Sequence, residues 1–358
     1  MSFPFVQPYF GLGNSLQTAQ ATGGAVGGWV ELGRTTLGSA GDTIDVTSLP
    51  DKRYYMVLTD IIASGTVGIR HRLGNSSIDT GSNYAIRSSY NGGADGSWAS
   101  QDYMYGSSGS TSVGMFNIEY IANKSDKEKL QQNWNLVNSA TGAGTAPDRS
   151  ENVGKWANTS NVIDTLRQYN ALGGDFNTGS EVVVLGWDPA DTHTTNFWEE
   201  LASVEETGGG TATFSTGTFT AKKYLWVQGF LKFAGNDPNL RLRMGNTTTD
   251  SGSNYSWRSS TDGGADATGT SQVAITPAPS MDQSAFINMF IINNTGNEKL
   301  VTGHIIGNDV TGAGTAPNRS EFAGKWANTS SQANIIDVTK TVGDNYQDGS
   351  LWKVWGAN

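Results

Sequence analysis

The run TGAGTAPDRSENVGKWANTS occupies residues 141–160, and the near copy TGAGTAPNRSEFAGKWANTS occupies residues 311–330. The copies differ only at Asp148/Asn318, Asn152/Phe322 and Val153/Ala323. The match continues outside the run, since GNSSIDTGSNYAIRSSYNGGAD begins at Gly74 and GNTTTDSGSNYSWRSSTDGGAD begins at Gly245. The offset is 170 residues for the first pair and 171 for the second. So constant an offset indicates that one complete domain was duplicated almost without insertion or deletion.

The repeat divides the chain into four parts. They are an N-terminal segment (1–28), a first copy (29–188), a linker (189–197) and a second copy (198–358). The period is too long for a solenoid repeat or a propeller blade, so we predict two tandem domains of one fold. The linker is short and polar, which predicts weak coupling and separate unfolding of the two domains.

The composition favours short strands joined by tight turns, because glycine supplies 46 of the 358 residues. The segment Ser125–Trp134 has helical propensity, but its counterpart contains Gly296 and β-branched residues, so we predict a hairpin in both copies. Further strands are predicted at 53–59, 67–73, 162–167 and 182–186 and at their counterparts. We therefore predict an all-β chain with two tandem, jelly-roll-like β-sandwiches of about eight strands each, preceded by an extended arm.

Charge and composition exclude several classes of function. The formal net charge is −10 and no cluster of Lys and Arg stands out, so we expect no nucleic-acid binding. The N-terminus has no long apolar stretch, so we expect neither a signal peptide nor a membrane span. The chain has no Cys, and His71, His193 and His304 fall at unrelated points of the repeat. We therefore expect no metal site, no cofactor and no catalytic residues.

The doubled run itself suggests a structural element. Arg149 and Glu151, like Arg319 and Glu321, are two residues apart and share a strand face, where they can form an ion pair beside a buried tryptophan. The predicted buried tryptophans are Trp156 and Trp326. The functional alternative pairs Glu151 with Asp164 as glycosidase carboxylates. Asp79 and Asp250, in DTGSNY and DSGSNY, are either the first residues of Asx-turns or calcium ligands.

Several tryptophans occur in one copy only, which makes them poor candidates for a core that both copies share. Trp257, Trp352 and Trp355, with Trp98 and Trp134, are therefore candidates for an outward face, although alternation along residues 351–355 puts Trp352 and Trp355 on opposite faces of their strand. An exposed tryptophan face suggests contact with another subunit or stacking on a host glycan, and we favour the subunit contact.

The N-terminal segment has no counterpart before the second copy. It carries Phe3, Phe5, Tyr9 and Phe10 and then a glycine-rich stretch up to Gly28. We predict an extended aromatic arm on a flexible tether that anchors the chain to another protein.

The arm, the segment GGWVELGRTTLGSAGDTIDVTSLPDKRYYMVL and the segment GSEVVVLGWDPADTHTTNFWEELASV together resemble structural proteins of tailed bacteriophages, especially those of aquatic phages. The resemblance covers the arm and both copies. It implies a non-enzymatic virion protein, either a capsid decoration or head-fibre protein or one associated with the tail fibre, assembled in the host cytoplasm. The implied partners are other capsid or tail proteins and the chain itself, as a homotrimer. The alternatives are an adhesin that binds a host polysaccharide and the subunit of a self-assembling filament.

Overall fold

The structure is a computed structural model that describes residues 28–191, 195–235, 239–277 and 281–358. In these ranges the chain forms 26 β-strands and no helix. The fold class predicted from the sequence is confirmed, since the described chain is all-β and forms two β-sandwiches in tandem. The predicted arm falls almost entirely outside the described residues, together with its aromatic residues Phe3, Phe5, Tyr9 and Phe10.

The first sandwich, called unit 1, contains fourteen strands. They are β1 (Val30–Thr36), β2 (Thr43–Val46), β3 (Tyr54–Ser64), β4 (Ile69–Asn75), β5 (Ser77–Ile78), β6 (Tyr84–Tyr90), β7 (Gly96–Gln101), β8 (Met104–Tyr105), β9 (Gly114–Ala122), β10 (Lys129–Asn138), β11 (Asp148–Trp156), β12 (Thr165–Asn170), β13 (Asp175–Phe176) and β14 (Glu181–Trp187).

The second sandwich, called unit 2, contains twelve strands. They are β15 (Glu199–Glu205), β16 (Thr213–Ser215), β17 (Tyr224–Lys232), β18 (Leu240–Asn246), β19 (Thr248–Thr249), β20 (Tyr255–Thr261), β21 (Ala267–Gln272), β22 (Ser284–Ile292), β23 (Lys299–Asn308), β24 (Asn318–Trp326), β25 (Ile335–Lys340) and β26 (Leu351–Ala357).

Each unit pairs a large sheet with a small one. In unit 1 the large sheet has the order β1-β14-β3-β9-β10-β11-β6-β7, with β13 paired to β3. The small sheet has the order β2-β12-β4-β5, with β8 paired to β4. Unit 2 repeats this plan with β15-β26-β17-β22-β23-β24-β20-β21 and β16-β25-β18-β19. The register therefore assigns a counterpart in unit 2 to each residue of the large sheet of unit 1.

The hairpin predicted in place of a helix is confirmed in both units. Leu130 pairs with Ala122 across β9 and β10, and Leu300 pairs with Ile292 across β22 and β23. The strand predicted at 162–167 begins later, at Thr165. The Asp164 carboxylate accepts a hydrogen bond from the backbone N–H of Ser76 at 2.7 Å, which fixes a loop before the strand.

The central strands of the large sheets are buried on both faces. In β14, Val182 and Val184 point into the core between the sheets of unit 1, whereas Val183 and Leu185 point to the other side. We call this second side the outer face, because it is turned away from the small sheet of the same unit. Burial on both sides explains the uninterrupted apolar run EVVVLGW.

The outer faces of the two large sheets pack against each other, in a contact that we call the seam. Its apolar cluster draws equally on both units: Met56, Leu58, Phe116, Ile118, Leu136, Val183 and Leu185 from unit 1, and Trp198, Tyr224, Phe290, Ile292, Leu300, Ala323 and Ala357 from unit 2. The linker alone predicted weak coupling, whereas apolar side chains of both units share one buried cluster across the seam.

Buried polar contacts border this apolar cluster. The Lys223 ammonium lies 3.2 Å from the Asp60 carboxylate, and the Asn138 amide donates to Glu298 at 2.7 Å. Burial raises the pKa of Asp60, although Lys223 offsets part of that effect. The seam therefore combines apolar burial with fixed polar pairs.

Candidate functional site

The doubled run builds the same anchor in each unit. Trp156 and Trp326 are buried, and each indole N–H donates to an aspartate at 2.8 Å, Asp79 in unit 1 and Asp250 in unit 2. A strand of the large sheet is thus tied to the DTGSNY or DSGSNY turn. The repetition of both motifs follows from this contact, so the doubled run is a structural building block.

Asp79 and Asp250 are the first residues of Asx-turns. The backbone N–H of Gly81 donates to Asp79 at 2.8 Å, and that of Gly252 donates to Asp250 at 2.7 Å. The pKa of Asp79 is lowered because hydrogen bonds, led by the one from the Trp156 indole, outweigh the opposing effect of burial. These donors occupy the carboxylates that the alternative interpretation assigns to calcium.

A buried lysine packs against each anchor tryptophan. The Lys129 ammonium lies 5.7 Å from the centroid of the Trp156 ring and donates to the backbone carbonyl of Asn158 at 2.8 Å. Lys299 repeats both contacts with Trp326 and Asn328, and burial lowers its pKa to about 8. In each unit the lysine therefore ties the segment that follows the tryptophan in GKWANTS to the anchor.

The two arginine–glutamate pairs form as predicted but lie in different surroundings. Arg149 contacts Glu151 at 3.1 Å and reaches across the seam to Asp266 at 2.8 Å. Arg319 contacts Glu321 at 2.8 Å, and its side chain is 60% exposed. The same sequence thus forms an ion pair at the seam in unit 1 and a more exposed ion pair in unit 2.

The structure does not bring together the carboxylates weighed as a glycosidase pair. Glu151 lies on β11 of the large sheet, where it contacts His304 of unit 2 at 3.4 Å. Asp164 precedes β12 of the small sheet and holds the loop at Ser76. Each carboxylate has a structural partner of its own.

The prediction that Trp352 and Trp257 face outward is wrong. Trp352 is fully buried in the core of unit 2, and Trp257 packs against the same core from the inner face. Each lies opposite a glycine in the neighbouring strand, Gly229 for Trp352 and Gly269 for Trp257. The missing glycine side chain makes room for the indole, so a tryptophan found in one copy can still be a core residue.

Trp355 lies on the outer face of unit 2, half-buried beside Trp226 at a centroid distance of 5.5 Å. Trp134 of unit 1 also lies on the outer face, where its ring centroid is 4.6 Å from that of His304. Trp134 therefore contacts the other unit of the same chain. Both residues belong to the surroundings of the seam.

The histidines occupy unrelated positions in the structure as well. The His71 Nδ1 atom lies 2.6 Å from the Glu119 carboxylate in the core of unit 1, whereas His304 lies at the seam. His193 is outside the described residues. Among residues 28–191, 195–235, 239–277 and 281–358, no group of three or more His, Asp or Glu side chains is placed to hold a metal ion.

A buried polar network surrounds Glu119, and the sequence reasoning missed it. The side-chain amides of Gln131 and Gln168 donate to this carboxylate at 2.7 and 2.6 Å. The pKa of Glu119 is lowered because the attraction of His71 and these hydrogen bonds outweigh the opposing effect of burial. The network links the two sheets of unit 1, since Glu119 and Gln131 lie on the large sheet and His71 and Gln168 on the small one.

An open groove crosses the outer face of unit 1 beyond the seam. It has a volume of about 380 Å³. Its walls include Trp29, Tyr54, Tyr120, Ala122, Leu130 and Trp187. The rings of Tyr54 and Trp187 are stacked, with centroids 5.4 Å apart and planes 18° apart. Because Tyr54 and Leu130 are 37% and 56% exposed, the groove presents apolar surface to solvent.

Two further cavities continue the groove across β10, β11, β6 and β7. The larger, of about 600 Å³, contains Leu130, Val153, Lys155 and Trp98. The smaller, of about 210 Å³, contains Gln132 and Val153 together with Arg87, Asp95 and Glu151. The three cavities share wall residues, so we call them together the aromatic groove. Its sequence signal is the alternation of exposed residues on β10 and β11, where Leu130, Gln132 and Val153 point outward.

Comparison with known proteins leaves the family open. No protein-family model and no curated protein matches the sequence. Among solved structures, domains LG4-5 of the mouse laminin alpha1 chain match at 10% identity over 92% of this chain and 91% of that one, with a TM-score of 0.19. Neisserial surface protein A matches at 8% identity over 80% of this chain and 97% of that one, with a TM-score of 0.10. The all-β architecture is evident from the sheets themselves.

The described part of the chain offers no helix that is long and apolar enough to cross a membrane.

Proposed function

We propose that this chain is a non-enzymatic structural protein of a tailed-phage particle, anchored by its N-terminal segment. The observation that carries the proposal is the seam, which joins two copies of one sandwich into a single body through a shared apolar cluster. A cluster of this kind resembles the interior of a domain more than a contact between mobile domains. Such a body suits a mechanical or architectural role.

The placement of the charged groups supports a non-catalytic role. The carboxylates of Glu151 and Asp164 lie on different sheets, and Asp79 and Asp250 hold tryptophans. Glu119 is sealed inside unit 1 with no exposed surface. In each case the charge is held by a partner that maintains the fold.

The proposal of a phage particle rests on the resemblance of the sequence to structural proteins of tailed phages. The arm that carries Phe3, Phe5, Tyr9 and Phe10 is proposed to dock on a capsid or tail protein, and the chain to reach the virion after assembly in the host cytoplasm. A homotrimer is the proposed oligomer, because cyclic symmetry is the usual closed arrangement of identical subunits.

The test is incorporation into particles. Phage that encodes the full chain, and phage that encodes a chain lacking residues 1–28, are purified and examined by mass spectrometry and cryo-electron microscopy. We expect the full chain on the particle surface and the shortened chain in the lysate only, folded as judged by its thermal unfolding. Absence of the full chain from purified particles would overturn the virion role, and normal incorporation of the shortened chain would move the anchor to the sandwiches.

A further inference from the structure

We propose that the aromatic groove of unit 1 is a binding site for a neutral polysaccharide. The groove lies on the part of the outer face of unit 1 that the seam does not cover. It rests on the comparison of this face with its counterpart in unit 2, and it holds whether or not the chain is part of a phage particle.

The counterparts of the groove residues in unit 2 are buried in the seam. The sheet register relates Tyr54 to Tyr224, Tyr120 to Phe290 and Leu130 to Leu300, and Trp29 corresponds to Trp198. All four unit 2 residues are buried against unit 1. The same surface of one fold therefore contacts protein in unit 2 and lies open in unit 1.

Two substitutions distinguish the open face from the buried one. Unit 2 has Ala357 and Ala323 where unit 1 has Trp187 and Val153. Both small residues lie on the large sheet that packs against unit 1 and belong to the shared cluster. The tryptophan and the valine instead form walls of the cavities in unit 1. Large walls hinder the approach of a flat protein sheet and frame a channel for a narrower ligand.

The walls of the groove have the chemistry that recognises sugar rings. The stacked pair of Tyr54 and Trp187 stands at one end of the groove, and the exposed side chain of Val153 lies toward the other. Aromatic faces pack against the C–H groups of a pyranose, and amide, guanidinium and carboxylate groups bond its hydroxyls. Gln132 and Arg87 supply such groups between the two ends.

The length and charge of the groove define the class of ligand. From Trp187 on β14 to Ser97 on β7 the groove crosses seven adjacent strands, a distance of about 29 Å at the usual strand spacing. That length suits a chain of several sugars. Carboxylates balance the positive charges of Arg87 and Lys155 on the groove walls. Arg87 lies 3.5 Å from Asp95, and Lys155 lies 2.9 Å from Glu128. A neutral polymer therefore fits better than an acidic one.

The test uses the full chain and measures binding by affinity electrophoresis and by quenching of tryptophan fluorescence. The probes are dextran, a β-1,3-glucan and a β-1,4-mannan as neutral polymers, with alginate and hyaluronate as acidic ones. Trp187→Ala and Val153→Ala introduce the residues that unit 2 carries at the equivalent positions, so the fold has a precedent for both. Leu172→Ala, at an exposed site outside the groove, is the matched control.

We expect at least one neutral polymer to bind, Trp187→Ala to weaken that binding at least tenfold, Val153→Ala to weaken it less, and the control to bind like the wild type. Undiminished binding by Trp187→Ala would overturn the proposal, as would a failure of all three neutral polymers to bind. Preferential binding of alginate or hyaluronate would contradict the assignment to neutral sugars. Capture of a second copy of the chain by the groove, with no polymer bound, would assign the face to protein assembly instead.

Discussion

Glu119 is a carboxylate with no exposed surface in the core of unit 1, and its counterpart in unit 2 is Met289. Its partners likewise have apolar counterparts: Leu242 for His71, Ile287 for Asn117, Val301 for Gln131 and Val338 for Gln168. The same fold is therefore compatible with either a polar or an apolar interior. Because buried charges lose hydration, the polar version stabilises the fold only when every partner is present.

Removing one member of this network should cost more than removing all five. Glu119→Met alone leaves His71 and three amides, those of Asn117, Gln131 and Gln168, without their acceptor and should lower the free energy of unfolding by about 3 to 5 kcal/mol. The fivefold variant His71→Leu, Asn117→Ile, Glu119→Met, Gln131→Val, Gln168→Val should be at least as stable as the wild type. Urea denaturation measures both. A fivefold variant as unstable as the single one would show that unit 1 depends on the polar side chains themselves.

The same network should make the wild type sensitive to acid. The pKa of Glu119 is lower in the folded chain than in the unfolded chain, where it is about 4.3. Its stabilising contribution is therefore complete above the unfolded pKa and is lost as the pH falls through the lower folded pKa. Between pH 7 and pH 2, the unfolding free energy of the wild type should fall more steeply than that of the fivefold variant. Parallel pH profiles would rule out this role for Glu119.

At the scale of elements, the repeat was the most informative part of the sequence. It predicted the hairpin of β9 and β10 against local helical propensity, because the counterpart contains Gly296 and β-branched residues. It did not predict the start of β12, which depends on the hydrogen bond from Ser76 to Asp164, far apart in sequence. The exposure of Trp352 was also mispredicted, although Gly229 opposite the tryptophan is a signal that pairing of the strands would have revealed.

Strands β11 and β24 have nearly the same sequence, but replacing the arginine of each strand should lower the free energy of unfolding by different amounts. Arg149 pairs with Asp266, whose side chain is 2% exposed, whereas the side chain of Arg319 is 60% exposed. Arg149→Ala removes the nearest cation from a buried carboxylate across the seam, which then keeps only Arg258 at 3.8 Å, and should cost up to about 3 kcal/mol. Arg319→Ala removes a largely solvated guanidinium from Glu321, whose side chain is 8% exposed, and should cost about 1 kcal/mol. Chemical denaturation of the two variants measures both losses of unfolding free energy. Equal losses would show that the ion pair between Arg149 and Asp266 does not stabilise the seam.

At the scale of the whole molecule, the sequence predicted two sandwiches but not their association. The run EVVVLGW of β14 carries the signal, since a strand without alternation is typical of burial on both faces. The prediction from the linker considered only the chain connection and not the outer faces. The aromatic groove was missed for the same reason: Tyr54, Tyr120 and Trp187 lie far apart in the sequence, and only the register of the large sheet places them on one face.

The central claim is that the seam makes one cooperative body of the two units, and scanning calorimetry of the full chain tests it most directly. The shared apolar cluster couples unfolding of unit 1 to exposure of Trp198, Tyr224 and Phe290 in unit 2. We therefore predict a single transition whose calorimetric enthalpy equals its van't Hoff enthalpy. Two resolved transitions, or a calorimetric enthalpy about twice the van't Hoff value, would contradict the account.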